Sequence, residues 1–293
     1  MPNCEHFSKK SASPREGLAN VFLYRALPCT HELLKKFNQN FYLPSAENFK
    51  TPFIRRVSFL LEVIFMEKLK NEIFQLLKEK GAELMGVADL SDVPESPYPV
   101  GICFMMPVPK HIIKDLLEAP TKEYHQMYID YNGRLNEMGL QAESLLQEKG
   151  YHAIANTTDR VVWNKENHTT SLPHKTVATK AGLGWIGKSC ILVTKEFGGA
   201  FRMGVVLTDA PLPADEAITE SQCGSCTKCV DACPAKCLKN TLWKAGMPRE
   251  EIADIFACDE TMRKNMQELH GYEMTICGKC FAVCPYTQRY LSK

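Results

Sequence analysis

Cys223, Cys226, Cys229 and Cys233, followed at once by Pro234, stand in the run Cys-Gly-Ser-Cys-Thr-Lys-Cys-Val-Asp-Ala-Cys-Pro. This spacing wraps a tight loop around a 4Fe–4S cube, with three thiolates close together and the fourth directed elsewhere. A second set, Cys277, Cys280 and Cys284 ahead of Pro285, lacks its first member, because Met274 occupies that place. Cys258, in the helix-like segment upstream, is the natural replacement. Eight thiolates suffice for two 4Fe–4S clusters. In two-cluster ferredoxins the fourth cysteine of each run crosses to the other cube. That gives Cys223, Cys226, Cys229 and Cys284 to one cluster and Cys258, Cys277, Cys280 and Cys233 to the other. Zinc is satisfied by two separated Cys-x2-Cys pairs, and it leaves the remaining cysteines and both prolines unexplained. Cys237 reads as small apolar packing.

The elements that must position these thiols belong to a chain of 293 residues, 45% hydrophobic and 24% charged, with room for two domains. Thirteen cysteines without a secretory signal point to metal ligation in a reducing, cytoplasmic setting. The longest apolar stretch, near Ser58–Met66, contains Glu62 and is too short to span a bilayer. Residues 1–65 carry nine Lys/Arg against five Asp/Glu, and the remainder 26 against 29. Nothing in that balance marks a nucleic-acid footprint.

Residues 1–65 form an N-terminal extension, either non-native or a mobile arm, with little periodicity and no recognisable site. Met66 is expected to be the natural start, since Glu62-Val-Ile-Phe-Met66 can be encoded by a ribosome-binding sequence ahead of a start codon. From Met66 an amphipathic helix places Leu69, Ile73, Leu76 and Leu77 on one face, and Gly81 closes it. Strands are expected at Glu83–Ala88, Val100–Met105, Tyr151–Ala155, Cys190–Thr194 and Met203–Thr208. A long helix spans roughly Thr121–Lys149, with Gly133 and Gly139 as candidate breaks. Helices between strands imply an α/β layer fold over 66–215. A cluster-bearing segment follows over 216–293.

Ala181-Gly-Leu-Gly-Trp-Ile-Gly-Lys-Ser189 satisfies two nucleotide patterns at once, G-x-G-x-x-G and G-x-x-x-x-G-K-S. Both require a strand before the glycines and a helix after them. Here His174–Lys180 reads as helix and Cys190-Ile-Leu-Val-Thr194 as strand, so the order is reversed. Glycine also lets backbone approach a flat cofactor closely, with Trp185 as an aromatic wall. A sharp turn with Trp185 in the core is the alternative.

The glycine segment, Val206-Leu-Thr-Asp-Ala-Pro-Leu212 after it, Tyr124-His125, Gly86-Val-Ala and the cysteine run resemble the epoxyqueuosine reductase family, more distantly the reductive dehalogenases. The resemblance covers about residues 66–290. It implies a nitroreductase-like α/β domain binding base-off cobalamin, then a bacterial-ferredoxin-like domain with two 4Fe–4S clusters. It further implies a reductase of queuosine biosynthesis type, passing electrons from clusters to cobalt to substrate. Gly182, Gly184, Trp185 and Gly187 are then expected at the cofactor wall, with Lys175 and Lys188 meeting its amide or phosphate groups. The family's proton-donating aspartate falls on His168 here, so His168 and nearby His174 become the candidate acids. The chain ends eight residues after Pro285, where the full-length enzymes continue into helices associated with tRNA. A small molecule or modified nucleoside is therefore the expected substrate ahead of tRNA, with a ferredoxin or flavodoxin as the low-potential donor. The rival readings are an electron carrier without its own substrate and a cluster-bearing nucleotide-binding protein.

Overall fold

The computed structural model describes residues 52–293, with side-chain environments from residue 59 onward. Most of the expected N-terminal extension thus lies outside the described residues. Leu61–Lys293 form one compact unit.

Helix α1 runs Pro52–Glu79. From residue 59 onward its first buried side chain is Met66, followed on the same face by Leu69, Ile73 and Leu77, whereas Val63, Ile64 and Phe65 are exposed. Gly81, at a φ of 106°, turns the chain into the sheet. That sheet contains β1 (Leu84–Asp89), β2 (Val100–Pro107), β3 (Ala153–Ala155) and, later in the chain, a strand at Phe201–Thr208, in the order β1, β2, Phe201–Thr208, β3. Every pairing in it is antiparallel; Ile102 faces Val206 and Val87. The alternation of helix and strand expected from sequence is therefore present without parallel crossovers.

Period-two alternation divides β2 between two cores. Ile102, Phe104 and Met106 face α1 and the long helix, while Cys103 and Met105 face the opposite layer. After a short α2 (Lys110–Asp115), the long helix α3 runs unbroken over Lys122–Glu148. Thr121 caps it, its hydroxyl accepting from the Tyr124 amide at 3.0 Å. Gly133 faces open space, and Gly139 lies against β3, where a Cβ would stand 3.2 Å from that of Ala155. Neither glycine breaks the helix, since packing against the sheet outweighs a propensity cost of about 1 kcal/mol each.

The opposite layer starts with a two-residue hairpin, β4 (Trp163–Asn164) with β5 (Thr169–Thr170). Helix α4 (His174–Lys180) follows, bounded as the sequence predicts. A second hairpin pairs β6 (Trp185–Ile186) with β7 (Leu192–Val193), and the sheet strand Phe201–Thr208, β8, comes next. The cysteine region adds α5 (Lys228–Ala232), α6 (Ile255–His270), α7 (Lys279–Ala282) and α8 (Pro285–Ser292). It is bound into the same cores: Trp243, Ile252 and Ala253 join the α4 layer, and Met266, Ile276 and Phe281 pack with Ile112, Tyr124 and Met127.

Candidate redox centre

The cysteines gather into two neighbourhoods. Burial, then the adjoining Cys223, Cys284 and Cys226, pushes the Cys229 thiol up to about 11. Cys284 likewise rises through burial, with Cys223 and Cys226 beside it. In the other group, Cys280 is raised well above the usual thiol range by burial, then by Cys277, Cys258, Cys229 and Cys233. Members of the second group line a cavity of about 320 Å³ with Cys237 among them. Among the described residues, no three His, Cys, Asp or Glu side chains converge on a single-ion site.

The glycine segment serves the first group. Trp185 is fully buried and its indole N–H donates to Cys223 Sγ at 3.4 Å. Its ring meets Tyr286 edge-on at 4.9 Å, which ties β6 to α8. Lys188, also buried, donates from Nζ to the Cys226 carbonyl at 3.1 Å. A Cβ on Gly187 would stand 3.5 Å from Cys223 Sγ. Three residues expected around a cofactor thus clasp a cysteine loop.

A larger cavity, about 930 Å³, opens between α4 and the cysteine region. Ile186, Trp243, Met247, Ile252 and Ile255 give it an apolar lining, and Lys175, Lys180 and Arg249 add cations. Lys180 is paired with Asp92 at 2.6 Å. Cys190 and Ile255 border both this cavity and the 320 Å³ thiol cavity, so the two share a wall. Cys190 holds a left-handed φ of 61° and is buried, and Lys175 Nζ donates to its carbonyl at 3.0 Å.

The histidines separate. His168 lines the large cavity, its imidazole held edge-on by Trp163 at 5.7 Å and Phe256 at 5.1 Å. Arg249, reaching across from the cysteine region, donates to the carbonyls of His168 at 2.6 Å and Asn167 at 2.7 Å. His174 instead turns toward the Asn156 carbonyl, 3.1 Å away, and borders a small cavity of about 50 Å³. Burial pulls its imidazole below the ordinary range, partly opposed by the Asn156 and Met203 backbone.

Residues 222–287 match the 4Fe-4S double cluster binding domain family. An epoxyqueuosine reductase from Bacillus anthracis is 35% identical over 119 residues, covering 40% of this chain and 30% of that protein. The chain is similar to the epoxyqueuosine reductases. It spans less than half the length of the curated relatives it matches. In fold, it aligns with an epoxyqueuosine reductase solved with an epoxyqueuosine-modified tRNA-Tyr stem loop, at a TM-score of 0.52 and 20% identity, over 76% of this chain and 66% of that one. A reductive dehalogenase described for B12-dependent dehalogenation aligns at a TM-score of 0.53 and 18% identity, over 73% of this chain and 31% of that one. The mixed α/β domain followed by a double-cluster region is therefore the fold expected from sequence.

Six of the expected site residues lie off the large cavity. Gly182 and Gly184 do not line the large cavity: a Cβ on Gly182 would meet the Glu216 carbonyl oxygen at 2.5 Å, and one on Gly184 would press into the Val193 carbonyl. Trp185, Gly187 and Lys188 are likewise turned to the Cys223–Cys226 loop. His174 stands outside the cavity. Glycine signals close approach of backbone, but spacing does not say to what. Trp243, Arg249 and Cys190, which do border the cavity, carried no local signal, because tertiary packing alone brings them there.

Proposed function

We propose that the chain is an iron–sulfur oxidoreductase in which two 4Fe–4S clusters serve a base-off corrinoid seated in the large cavity. The observation that carries this reading is the wall of Cys190 and Ile255 shared by the thiol cavity and the large cavity. A cavity of about 930 Å³ lies near the top of the usual range for ligand sites, about 300–1,000 Å³. Its apolar lining suits a broad, flat macrocycle and its cations suit polar substituents.

Cys223, Cys226, Cys229 and Cys284 would hold one cluster, and Cys258, Cys277, Cys280 and Cys233 the other. When bound, these groups supply low-potential electron transfer and a reduced metal centre able to attack or reduce a substrate. The chain's own residues bind, insulate and deliver protons. Trp185 fixes and polarises the Cys223 sulfur. Trp243, Ile252 and Ile255 keep water from the inner wall. His168 holds a proton at the cavity, positioned by Trp163, Phe256 and the Arg249 clamp. The substrate is a small organic molecule or a modified nucleoside. The modified tRNA stem loop bound by the aligned epoxyqueuosine reductase supports the nucleoside class. The donor is a low-potential carrier such as a ferredoxin or flavodoxin, and the cysteine-rich chain suits a reducing cytoplasm. No helix among the described residues is long and apolar enough to cross a membrane.

Anaerobic reconstitution with iron, sulfide and cobalamin tests this. We expect about eight irons and eight labile sulfides per chain, with saturable cobalamin binding by absorbance titration. Thr176→Trp, on the α4 wall, should abolish cobalamin binding and leave the iron in place. Clusters without any cobalamin binding by the unmodified chain would favour the electron-carrier reading. ATP binding in its place would revive the nucleotide one.

A further inference from the structure

One thiol beyond the eight of the two sets stands inside the second cluster's cavity. Cys237 lines it together with Cys233, Cys258, Cys277 and Cys280. Its Sγ is 3.5 Å from Cys233 Sγ.

The backbone holds it there. Lys236 takes a left-handed φ of 51°, and its amide donates to the Cys233 carbonyl at 3.2 Å. This turn folds Cys237 back toward Cys233. The Cys237 carbonyl then accepts from the Asp254 amide at 2.9 Å, and Asp254 caps α6, the helix that carries Cys258. Left-handed backbone at a lysine is strained and persists where the surroundings require it. Packing alone would be met by any small apolar side chain.

We propose that Cys237 is a reserve ligand of the second cluster, interchangeable with Cys233 at the same iron. The proposal rests on the double-cluster reading. Sulfurs sharing one tetrahedral metal at about 2.3 Å lie about 3.8 Å apart, so two thiols at 3.5 Å reach a common metal position by small side-chain rotations. The exchange involves no change of oxidation state. A bond from iron to the Cys237 sulfur forms as the bond to the Cys233 sulfur breaks. The proton released by the Cys237 thiol passes to the departing Cys233 thiolate. A site with such a spare keeps its cluster when one ligand is lost.

The test is anaerobic reconstitution of the unmodified chain, Cys233→Ala, Cys237→Ala and the double variant, read by iron, labile sulfide and the electron paramagnetic resonance of the reduced protein. Cys233→Ala should retain about eight irons, and the double variant should fall to about four. About four irons in Cys233→Ala, beside about eight in the unmodified chain, would overturn the proposal and leave the cluster reading intact. Should Cys233→Ala not fold, the rate of cluster loss in air decides. Cys237→Ala should lose the second cluster several-fold faster than the unmodified chain, with the first unaffected, and an equal rate overturns the proposal. An unmodified chain without labile sulfide overturns the cluster reading and this proposal together.

Discussion

At Trp185 a single N–H distinguishes an electronic role from packing. The indole is buried, donates to Cys223 Sγ at 3.4 Å and meets Tyr286 edge-on. A donor on a cluster sulfur favours the more negative, reduced state. Trp185→Phe keeps most of the ring and removes the donor. A neutral hydrogen bond is worth about 1 kcal/mol, so the first cluster's potential should fall by roughly 40 mV at one electron. A redox titration followed by electron paramagnetic resonance reads this, and an unmoved potential would reduce Trp185 to packing. His174 is the other residue-scale case. Its folded-state imidazole titrates below the unfolded one because burial disfavours the cation. At neutral pH both states are uncharged there and the penalty is absent. As pH falls through the unfolded value, about 6.5, the unfolded chain gains the proton first, and stability drops until the folded group also titrates. His174→Gln should flatten that part of the melting temperature against pH; an unchanged slope would assign it to other groups.

The elements differ in how far their sequence could be read. Helix α4 carries its own bounds, and α3 announces itself by apolar spacing that two glycines do not interrupt, as one faces open space and the other a small residue on β3. Strands β2 and β8 are apolar enough to read as buried on both faces. The β4–β5 hairpin is too short, two residues a side, to show any period, yet it carries His168. The glycine segment was legible as a site of close approach and illegible as to its partner. What Gly184 approaches is the Val193 carbonyl, across the β6–β7 hairpin. Gly184→Val therefore acts on the hairpin, not selectively on a cofactor. Overpacking against backbone costs about 1–3 kcal/mol or more, so melting temperature and cluster content should fall together. Normal stability with selective loss of cobalamin binding would return Gly184 to the cavity wall.

At the scale of the whole molecule, the cysteine spacings announce a separate cluster segment, but they do not say how it is attached. The attachment is made by apolar side chains from distant parts of the chain. Trp243, Ile252 and Ala253 lie in one core with Val177, Trp185 and Leu207, while Met266, Ile276 and Phe281 share another with Ile112, Tyr124 and Met127. Each fully buried large apolar side chain contributes about 1.5–3 kcal/mol. The cysteine region cannot separate without exposing several of them on both sides. Ligand binding to the native state alone raises the stability of everything that unfolds with it. Removing iron should therefore lower the melting point of the sheet and α3 as well as that of the cysteine region, in one transition. Calorimetry of the anaerobic protein before and after chelation measures this, with far-ultraviolet circular dichroism following the helices. If the chelated protein instead melts in two steps, the upper one at the temperature of the iron-loaded form, the shared cores do not couple the halves.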